Sequence, residues 1–279
     1  MTSNKFIVLS SALLTLIGFS ACNDTNNKSQ NSDTDTLVTN GTNENPISLN
    51  PASLSPEFPD ASLTVKDMKS EMVGTDSVKI TFNYDVKNYE LKSQTSDAQQ
   101  KGCANSKDGQ HIHFILDNSP YAALYEPTHS FTVAKNSEHY VMSFLSRSYH
   151  ESVKSPKAAV LKHFSINADG KITEMDIPND PMLFYSRPKG DYLGDEETKN
   201  VLLDFYIYNA TLGDNVMLKA TIDGQVFTID KWQAYFITGA PMGELKIDLQ
   251  LTDKDGNALQ GVNTSVSRTS RLAKQEPMQ

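Results

Sequence analysis

The chain has 279 residues, of which 38% are hydrophobic and 21% charged, a composition typical of folded domains and not of disordered or membrane-embedded chains. Its length accommodates two domains of about 100 residues each and a tail. The formal net charge of −9 at pH 7 argues against nucleic acid as a partner, because neutralising phosphates requires a basic face.

The N-terminus has the three parts of a bacterial export signal. Lys5 supplies positive charge, residues 6–19 form an apolar run that is short for a spanning helix, and small residues precede Cys22. The string FSAC, followed by polar residues, resembles the lipobox that the lipoprotein signal peptidase cleaves before a lipidated cysteine. The resemblance implies that residues 1–21 are a signal peptide and that lipid on Cys22 anchors the protein at a membrane. The alternative is an ordinary secreted protein in which Cys22 has no such role.

Residues 22–58 are dominated by Asn, Ser, Thr, Asp and Pro, with few large apolar side chains. Such a segment cannot bury a core, so we predict a disordered tether. A flexible chain of this length has a mean reach of about 30–35 Å, which would lift the folded part clear of the lipid headgroups.

After the tether, apolar residues alternate with polar ones, as they do in half-buried strands. Val78, Ile80 and Phe82 illustrate this period of two, and Asp-Gly pairs mark turns between such runs. The sequence predicts an all-β protein with two tandem immunoglobulin-like β-sandwich domains, at residues 59–168 and 169–279.

The two halves of this body also look like copies of one unit. The segment ITFNYDVKNYEL, beginning at Ile80, aligns with VLLDFYIYNATL, beginning at Val201. Farther along, Asp117 aligns with Asp223, and the change in spacing places a polar insertion at residues 93–110 of the first copy. A shared order of segments with one loop-sized gap predicts an internal duplication.

The chain resembles an uncharacterised family of Bacteroidota-type lipoproteins with two immunoglobulin-like β-sandwich repeats. The resemblance rests on three strings: GQHIHFILDNSPYAALYEP at 109–127, LSRSYHES at 145–152 and PMLFYSRPKGDYLG at 181–194. It implies an outer-membrane lipoprotein of the cell envelope, facing the periplasm or the surface, and it brings no established activity.

All six histidines lie in the first domain. Apolar side chains fill the core face of the strand expected at 111–116, so His111 and His113 point together to its opposite face, about 7 Å apart along the strand. Two histidines at this spacing are a known way to begin a zinc or copper site. The aligned positions of the second half are Met217 and Lys219, so the pair is peculiar to the first domain.

Further metal ligands would have to come from elsewhere in the first domain. The candidates are His150 and His139, followed by Glu151, Met142 and Cys103. The alternative is a structural role, in which the histidine pair makes cross-strand hydrogen bonds or is covered by the inserted loop, and no cofactor is bound.

Arg147 and Glu151 lie in the string LSRSYHES. An arginine in such a loop can form an anion- or carbohydrate-binding rim at one end of a sandwich, which makes Arg147 and Glu151 candidate ligand-binding residues. The alternative is that Arg147 fixes its own loop through a salt bridge with Glu151.

Motifs of the common enzyme classes are missing from the sequence: GxSxG, HExxH, the P-loop, GxGxxG after a strand, and CxxC. We therefore predict a membrane-anchored, non-enzymatic binding or structural module, with no catalytic residue and with an unknown protein or small molecule as its ligand. The alternative prediction is an envelope protein that binds copper or zinc through the histidines of the first domain.

Overall fold

The computed structural model of the chain describes residues 46–275. The predicted signal peptide at residues 1–21, the predicted lipidation site Cys22 and residues 22–45 of the predicted tether lie outside the described residues. Within the described part of the chain, no helix is both long enough and apolar enough to cross a membrane.

Strands dominate the described residues. They are β1 (Ser48–Pro51), β2 (Ser62–Val73), β3 (Ser77–Lys87), β4 (His111–Leu116), β5 (Ala122–Leu124), β6 (Thr128–Ala134), β7 (Ser137–Ser146), β8 (Ala159–Ile166), β9 (Ile172–Glu174), β10 (Met182–Arg187), β11 (Asp191–Leu193), β12 (Val201–Tyr208), β13 (Val216–Ile222), β14 (Gln225–Ile229), β15 (Tyr235–Thr238), β16 (Gly243–Asp253) and β17 (Ser265–Ala273). One short helix, α1 (Gly194–Thr198), and two 3₁₀ turns, Ala98–Gln100 and Pro156–Ala158, complete the regular structure.

The first sandwich packs a three-stranded sheet, in the order β2-β3-β6, against a five-stranded sheet, in the order β5-β4-β7-β8-β9. The period of two in β3 buries Val78, Ile80 and Phe82 completely, because alternate side chains of a strand point to the same face. They meet Ile112 and Phe114 of β4 in one hydrophobic core. The side chains that sequence alternation assigns to the interior therefore hold the two sheets together.

The second sandwich packs the sheet β1-β15-β12-β10 against the sheet β11-β17-β16-β13-β14. Leu203 and Phe205 of β12 face Ile247 and Leu249 of β16 across its core. Neighbouring strands are antiparallel except β11 and β17, which run parallel. The predicted fold class, all-β with two tandem immunoglobulin-like sandwiches, is confirmed.

The strand order repeats from one sandwich to the other. The run β5-β4-β7-β8 corresponds to β14-β13-β16-β17, and β2-β3-β6 corresponds to β10-β12-β15. A turn repeats as well: Asn88 and Asn209 both have positive φ, and the amide of each donates to a backbone carbonyl, at 2.9 Å and 3.0 Å respectively. This shared order confirms the predicted duplication.

The segment before the first sandwich departs from the predicted tether. Ser48–Pro51 pair antiparallel with Tyr235–Thr238 of the second sandwich, and Ile47 is only 4% exposed in the core of that sandwich. The prediction of disorder is therefore wrong for residues 46–58. Composition fails here because backbone hydrogen bonds to an open sheet edge order a polar segment that could not form a core by itself.

Residues 46–61, which we call the strap, continue from the second sandwich across the first. Lys101 donates from Nζ to the carbonyls of Ser53 and Leu54 at 2.8 Å and 2.9 Å. Arg147 donates from Nε and Nη2 to the carbonyl of Pro56 at 3.1 Å and 2.6 Å. The strap is thus fixed to both sandwiches through its backbone.

The two sandwiches belong to one compact unit. Strand β9 still pairs with β8, so the first sandwich extends to Glu174, past the boundary predicted at residue 168. A third hydrophobic cluster joins the sandwiches, where the rings of Phe144 and Tyr206 stack with centroids 5.2 Å apart. The faces of β4 and β7 that point away from the first core therefore meet the second sandwich instead of solvent.

Candidate metal centre

Three imidazoles meet at the junction of the two sandwiches. His111 and His113 lie on β4, and their Nε2 atoms are 2.9 Å apart. His150 follows β7, and its Nδ1 lies 3.1 Å from His111 Nε2. One ring nitrogen from each of the three histidines lies within 4.8 Å of the other two. The structure therefore brings His150 to the histidine pair, as predicted for a third ligand.

A tight turn after β7 places His150. The amide of His150 donates to the carbonyl of Arg147 at 2.9 Å, and the amide of Arg147 donates to the carbonyl of Glu151 at 2.9 Å. His150 itself has a φ of 69°, a left-handed conformation that non-glycine residues adopt rarely and that clusters at functional sites. The turn reverses the chain so that the imidazole lies over the end of β4.

The hydrogen bonds of His111 fix its tautomer. Its Nδ1 lies 2.8 Å from the carbonyl of Gly109, and a carbonyl can only accept, so Nδ1 carries the proton and Nε2 presents a lone pair. That lone pair faces both His113 Nε2 and His150 Nδ1. Because His111 Nε2 has one lone pair, it can accept a good hydrogen bond from only one of these two neighbours. One metal cation, in contrast, could accept a lone pair from each of the three nitrogens.

The second sandwich supplies the surroundings of the cluster. Ser186 Oγ lies 3.0 Å from His113 Nδ1. Arg187 donates from Nη1 to the hydroxyl of Tyr121 at 3.1 Å. Tyr121 stacks on the ring of His113, with centroids 3.6 Å apart, and its hydroxyl lies 3.2 Å from His150 Nδ1. Strand β10 therefore orients a histidine of the first sandwich.

All three imidazoles are held neutral by their environment. The pKa of His111 is lowered to about 4, chiefly by burial; the hydrogen bond to the Gly109 carbonyl opposes this change and the nearby positive charge of Arg187 contributes to it. Burial and neighbouring positive charge put the pKa values of His113 and His150 well below the usual 6.5. Neutral imidazole is the form that binds metal ions, so the cluster is in its ligating form at neutral pH.

Arg187 is a buried charge without an acidic partner among residues 46–275. It is 6% exposed, its Nε finds no hydrogen-bond acceptor in the described part of the chain, and its guanidinium lies 5.0 Å from the ring centroid of Tyr192. Cys103 lies nearby as a thiol, because burial raises its pKa to about 11. Arg187 therefore places a buried positive charge close enough to the cluster to lower the pKa of each histidine.

His139 does not join the cluster, and its prediction as a metal ligand is wrong. Its Nδ1 lies 2.6 Å from Asp117 Oδ2, and its Nε2 lies 2.7 Å from Ser137 Oγ. The register explains this: His111 pairs with Ser146 at the far end of β7, about 24 Å along the strand from His139. Cys103 and Glu151 are likewise absent from the group of potential ligand atoms in the described residues, and Met142 is buried in the hydrophobic cluster that joins the sandwiches.

Arg147 and Glu151 come together as a buried ion pair, 3.3 Å from Nη1 to Oε1. Their remaining polar atoms contact the protein's own chain: Arg147 holds the carbonyls of Pro56 and Ser152, and Ser55 donates to Glu151 at 2.6 Å. The pair thus fixes its loop and the strap, as the alternative interpretation expects. Both side chains also line a cavity of about 430 Å³ beside the strap, so ligand binding at these residues stays a prediction.

Sequence reasoning missed four residues around the cluster: Tyr121, Ser186, Arg187 and Lys189. Tyr121 could have been found, because β4 and β5 form a hairpin that pairs Ala123 with His113 and returns the chain beside the histidines. The other three belong to the second sandwich. Only the docking of two sandwiches places them here, and no local pattern in the sequence encodes that.

No family model matches this chain, and no curated protein matches it. Among solved structures it is similar to fibronectin(III)-like modules of Clostridium thermocellum CbhA, with 12% identity over 78% of this chain and 97% of the other and a TM-score of 0.27. It is also similar to a central fibronectin-III array of RIM-binding protein, with 10% identity, 80% and 73% coverage and a TM-score of 0.25.

A third similar structure is SGBP-B of the Bacteroides ovatus mixed-linkage glucan utilization locus, in complex with a mixed-linkage heptasaccharide. The identity is 13%, the match covers 70% of this chain and 40% of the other, and the TM-score is 0.19. The fold of the present chain is assigned from its own strand order, and the site from its own side chains.

Proposed function

We propose that this chain is a non-enzymatic binding module of the bacterial cell envelope whose ligand is a copper or zinc ion, held by His111, His113 and His150. The observation that supports this most is the convergence of three neutral ring nitrogens on one point. Imidazole nitrogen is a preferred ligand of both metals.

The spacing of these nitrogens suits a metal ion. Imidazoles bound to one zinc ion at about 2.0–2.1 Å stand roughly 3.3 Å apart in tetrahedral geometry. The measured separations from His111 Nε2 are 2.9 Å to His113 and 3.1 Å to His150. All three nitrogens lie within 4.8 Å of one another, so side-chain rotations would have to widen these two separations and set His113 and His150 at a similar distance around an ion.

The outer nitrogens of two ligands are already held. His111 Nδ1 donates to the carbonyl of Gly109, and His113 Nδ1 lies against Ser186 Oγ. Partners of this kind fix the tautomer and ring orientation of metal-binding histidines. Outer hydrogen bonds of this kind at His111 and His113 support the proposal.

Titration calorimetry with Zn²⁺, and with Cu⁺ under anaerobic conditions, tests this function on the purified protein. We expect one ion to bind per chain, and binding to be lost in His111→Ala/His113→Ala. His139→Ala is the matched control, because it removes a histidine of the same strand pair outside the cluster. Unchanged binding by the double variant would overturn the proposal.

We also propose that lipid on Cys22 holds the protein at the envelope, on the strength of the FSAC string and the export signal that precedes it. Cells fed a palmitate analogue should label the wild type and not Cys22→Ala. Cys103→Ser is the control and should label normally. A wild type that stays unlabelled and freely soluble would refute the anchor.

A further inference from the structure

Two positive side chains of the second sandwich lie next to the histidine cluster. Two hydrogen bonds, of 3.1 Å and 3.2 Å, lead from Arg187 Nη1 through the Tyr121 hydroxyl to His150 Nδ1. Lys189 Nζ donates to the carbonyl of Tyr121 at 2.7 Å and lies 4.3 Å from the centroid of its ring. Tyr121 in turn stacks on His113.

No carboxylate lies within ion-pair distance of these two charges among residues 46–275; the buried Asp204, which is aligned with Arg187 on the neighbouring strand, pairs with Lys154 instead. Neither Arg187 nor Lys189 forms an ion pair with a described residue, and the group of potential metal ligands consists of histidines alone. Asp108, which acts on His111 through its charge, is exposed to solvent. A cation at the cluster would therefore meet three neutral donors and two positive side chains that form no ion pair with a described residue.

The repulsion that such an ion feels is proportional to its own charge. A unit charge about 6 Å away, at an effective dielectric constant of about 20, weakens the binding of a monovalent cation roughly a hundredfold and that of a divalent cation by the square of this factor. Solvent screens the charge of Lys189, so this side chain weakens the binding of a monovalent cation only about tenfold. The two side chains therefore discriminate between ions by charge.

Resting on the proposed function, we propose that this site selects monovalent Cu⁺ over divalent Zn²⁺ and Cu²⁺, and that Arg187 and Lys189 determine this selectivity. Cu⁺ binds imidazole nitrogen and is stable with few ligands, so three donors suffice. A buried arginine without a counter-ion is costly, and selectivity against divalent ions gives a physical reason for its presence beside the cluster.

The test measures two affinities on the full-length protein: that for Cu⁺, by anaerobic competition with a cuprous chelator, and that for Zn²⁺, by competition with a zinc indicator. The wild type should bind Cu⁺ more tightly. The ratio of the Zn²⁺ to the Cu⁺ association constant should rise about tenfold in Lys189→Gln, and about a hundredfold in both Lys189→Glu and Arg187→Met. Lys219→Gln, at the position aligned with His113 in the second sandwich, is the control and should leave the ratio unchanged.

The outcomes separate the two proposals. If the wild type binds neither ion, the proposed function fails, and the selectivity fails with it. If the wild type binds metal but the ratio stays constant across the charge variants, the metal site stands and the selectivity inference is overturned. Lys189 is exposed to solvent, so its variants carry the test even if Arg187→Met does not fold, which circular dichroism would show.

Discussion

His111 and His113 approach to 2.9 Å between their Nε2 atoms, and both residues are 0% exposed. Strand geometry sets the two Cα atoms about 7 Å apart, so their rings must converge to meet at this distance. Neighbouring elements hold them there: Gly109 on the inserted loop fixes one ring, and Ser186 on β10 fixes the other. The orientation of the two rings is thus fixed by hydrogen-bond partners that lie far apart in sequence.

Acid should destabilise the protein through this cluster. In the unfolded chain the imidazoles have a pKa near 6.5, whereas in the folded protein the pKa of His111 is about 4 and those of His113 and His150 are well below 6.5. Between pH 4 and pH 6.5 the unfolded state binds more protons than the folded state. The contribution of the cluster to the free energy of unfolding is therefore fully present above pH 6.5 and is lost as the pH falls toward 4. The contribution of His111 alone is on the order of 3 kcal/mol.

Urea unfolding at several pH values between 4.5 and 7.5 measures this effect. We expect the loss of free energy of unfolding toward acid pH to be clearly smaller in His111→Asn/His150→Asn than in the wild type. Identical pH dependence in the wild type and the double variant would show that the cluster is not the acid-sensitive element.

The strap should behave as part of the second core and not as a tether. Ile47→Ala removes a side chain that is 4% exposed within that core and should cost about 2–4 kcal/mol. Leu54→Ala, in the same strap but 99% exposed, should change the free energy of unfolding by less than about 0.5 kcal/mol. Equal small effects of both substitutions in urea unfolding would mean that the strap does not dock in solution.

Ser186 should affect metal affinity although it touches no metal ion. Ser186→Ala removes the hydroxyl 3.0 Å from His113 Nδ1, and loss of such a partner typically weakens metal binding about 10–100-fold. Ser186→Thr keeps the hydroxyl and should restore most of the affinity. Ser270→Ala is the control, since that buried hydroxyl makes no hydrogen bond among the described residues. A loss that threonine does not rescue would assign Ser186 a packing role only.

Local sequence patterns account for the strands and for part of the site. Alternation buries Val78, Ile80 and Phe82 as expected, and the same alternation puts His111 and His113 on one face. The sequence could not show what covers that face, because Ser186 and Arg187 reach it only when the second sandwich docks. Likewise, nothing in the composition around Ile47 indicates that the adjoining strand β1 pairs with the edge strand β15 of the second sandwich.

The central claim is that three particular histidines bind one metal ion. The protein contains six, so nitrogen-15 spectra of the imidazoles, recorded with and without one equivalent of Zn²⁺ or Cu⁺, test the claim directly. We predict that the metal ion shifts the nitrogen-15 resonances of His111 Nε2, His113 Nε2 and His150 Nδ1 together. The nitrogen-15 resonances of His129, His139 and His163 should not change. A metal-induced shift confined to those other three rings, or no shift in any ring, would contradict the proposed site.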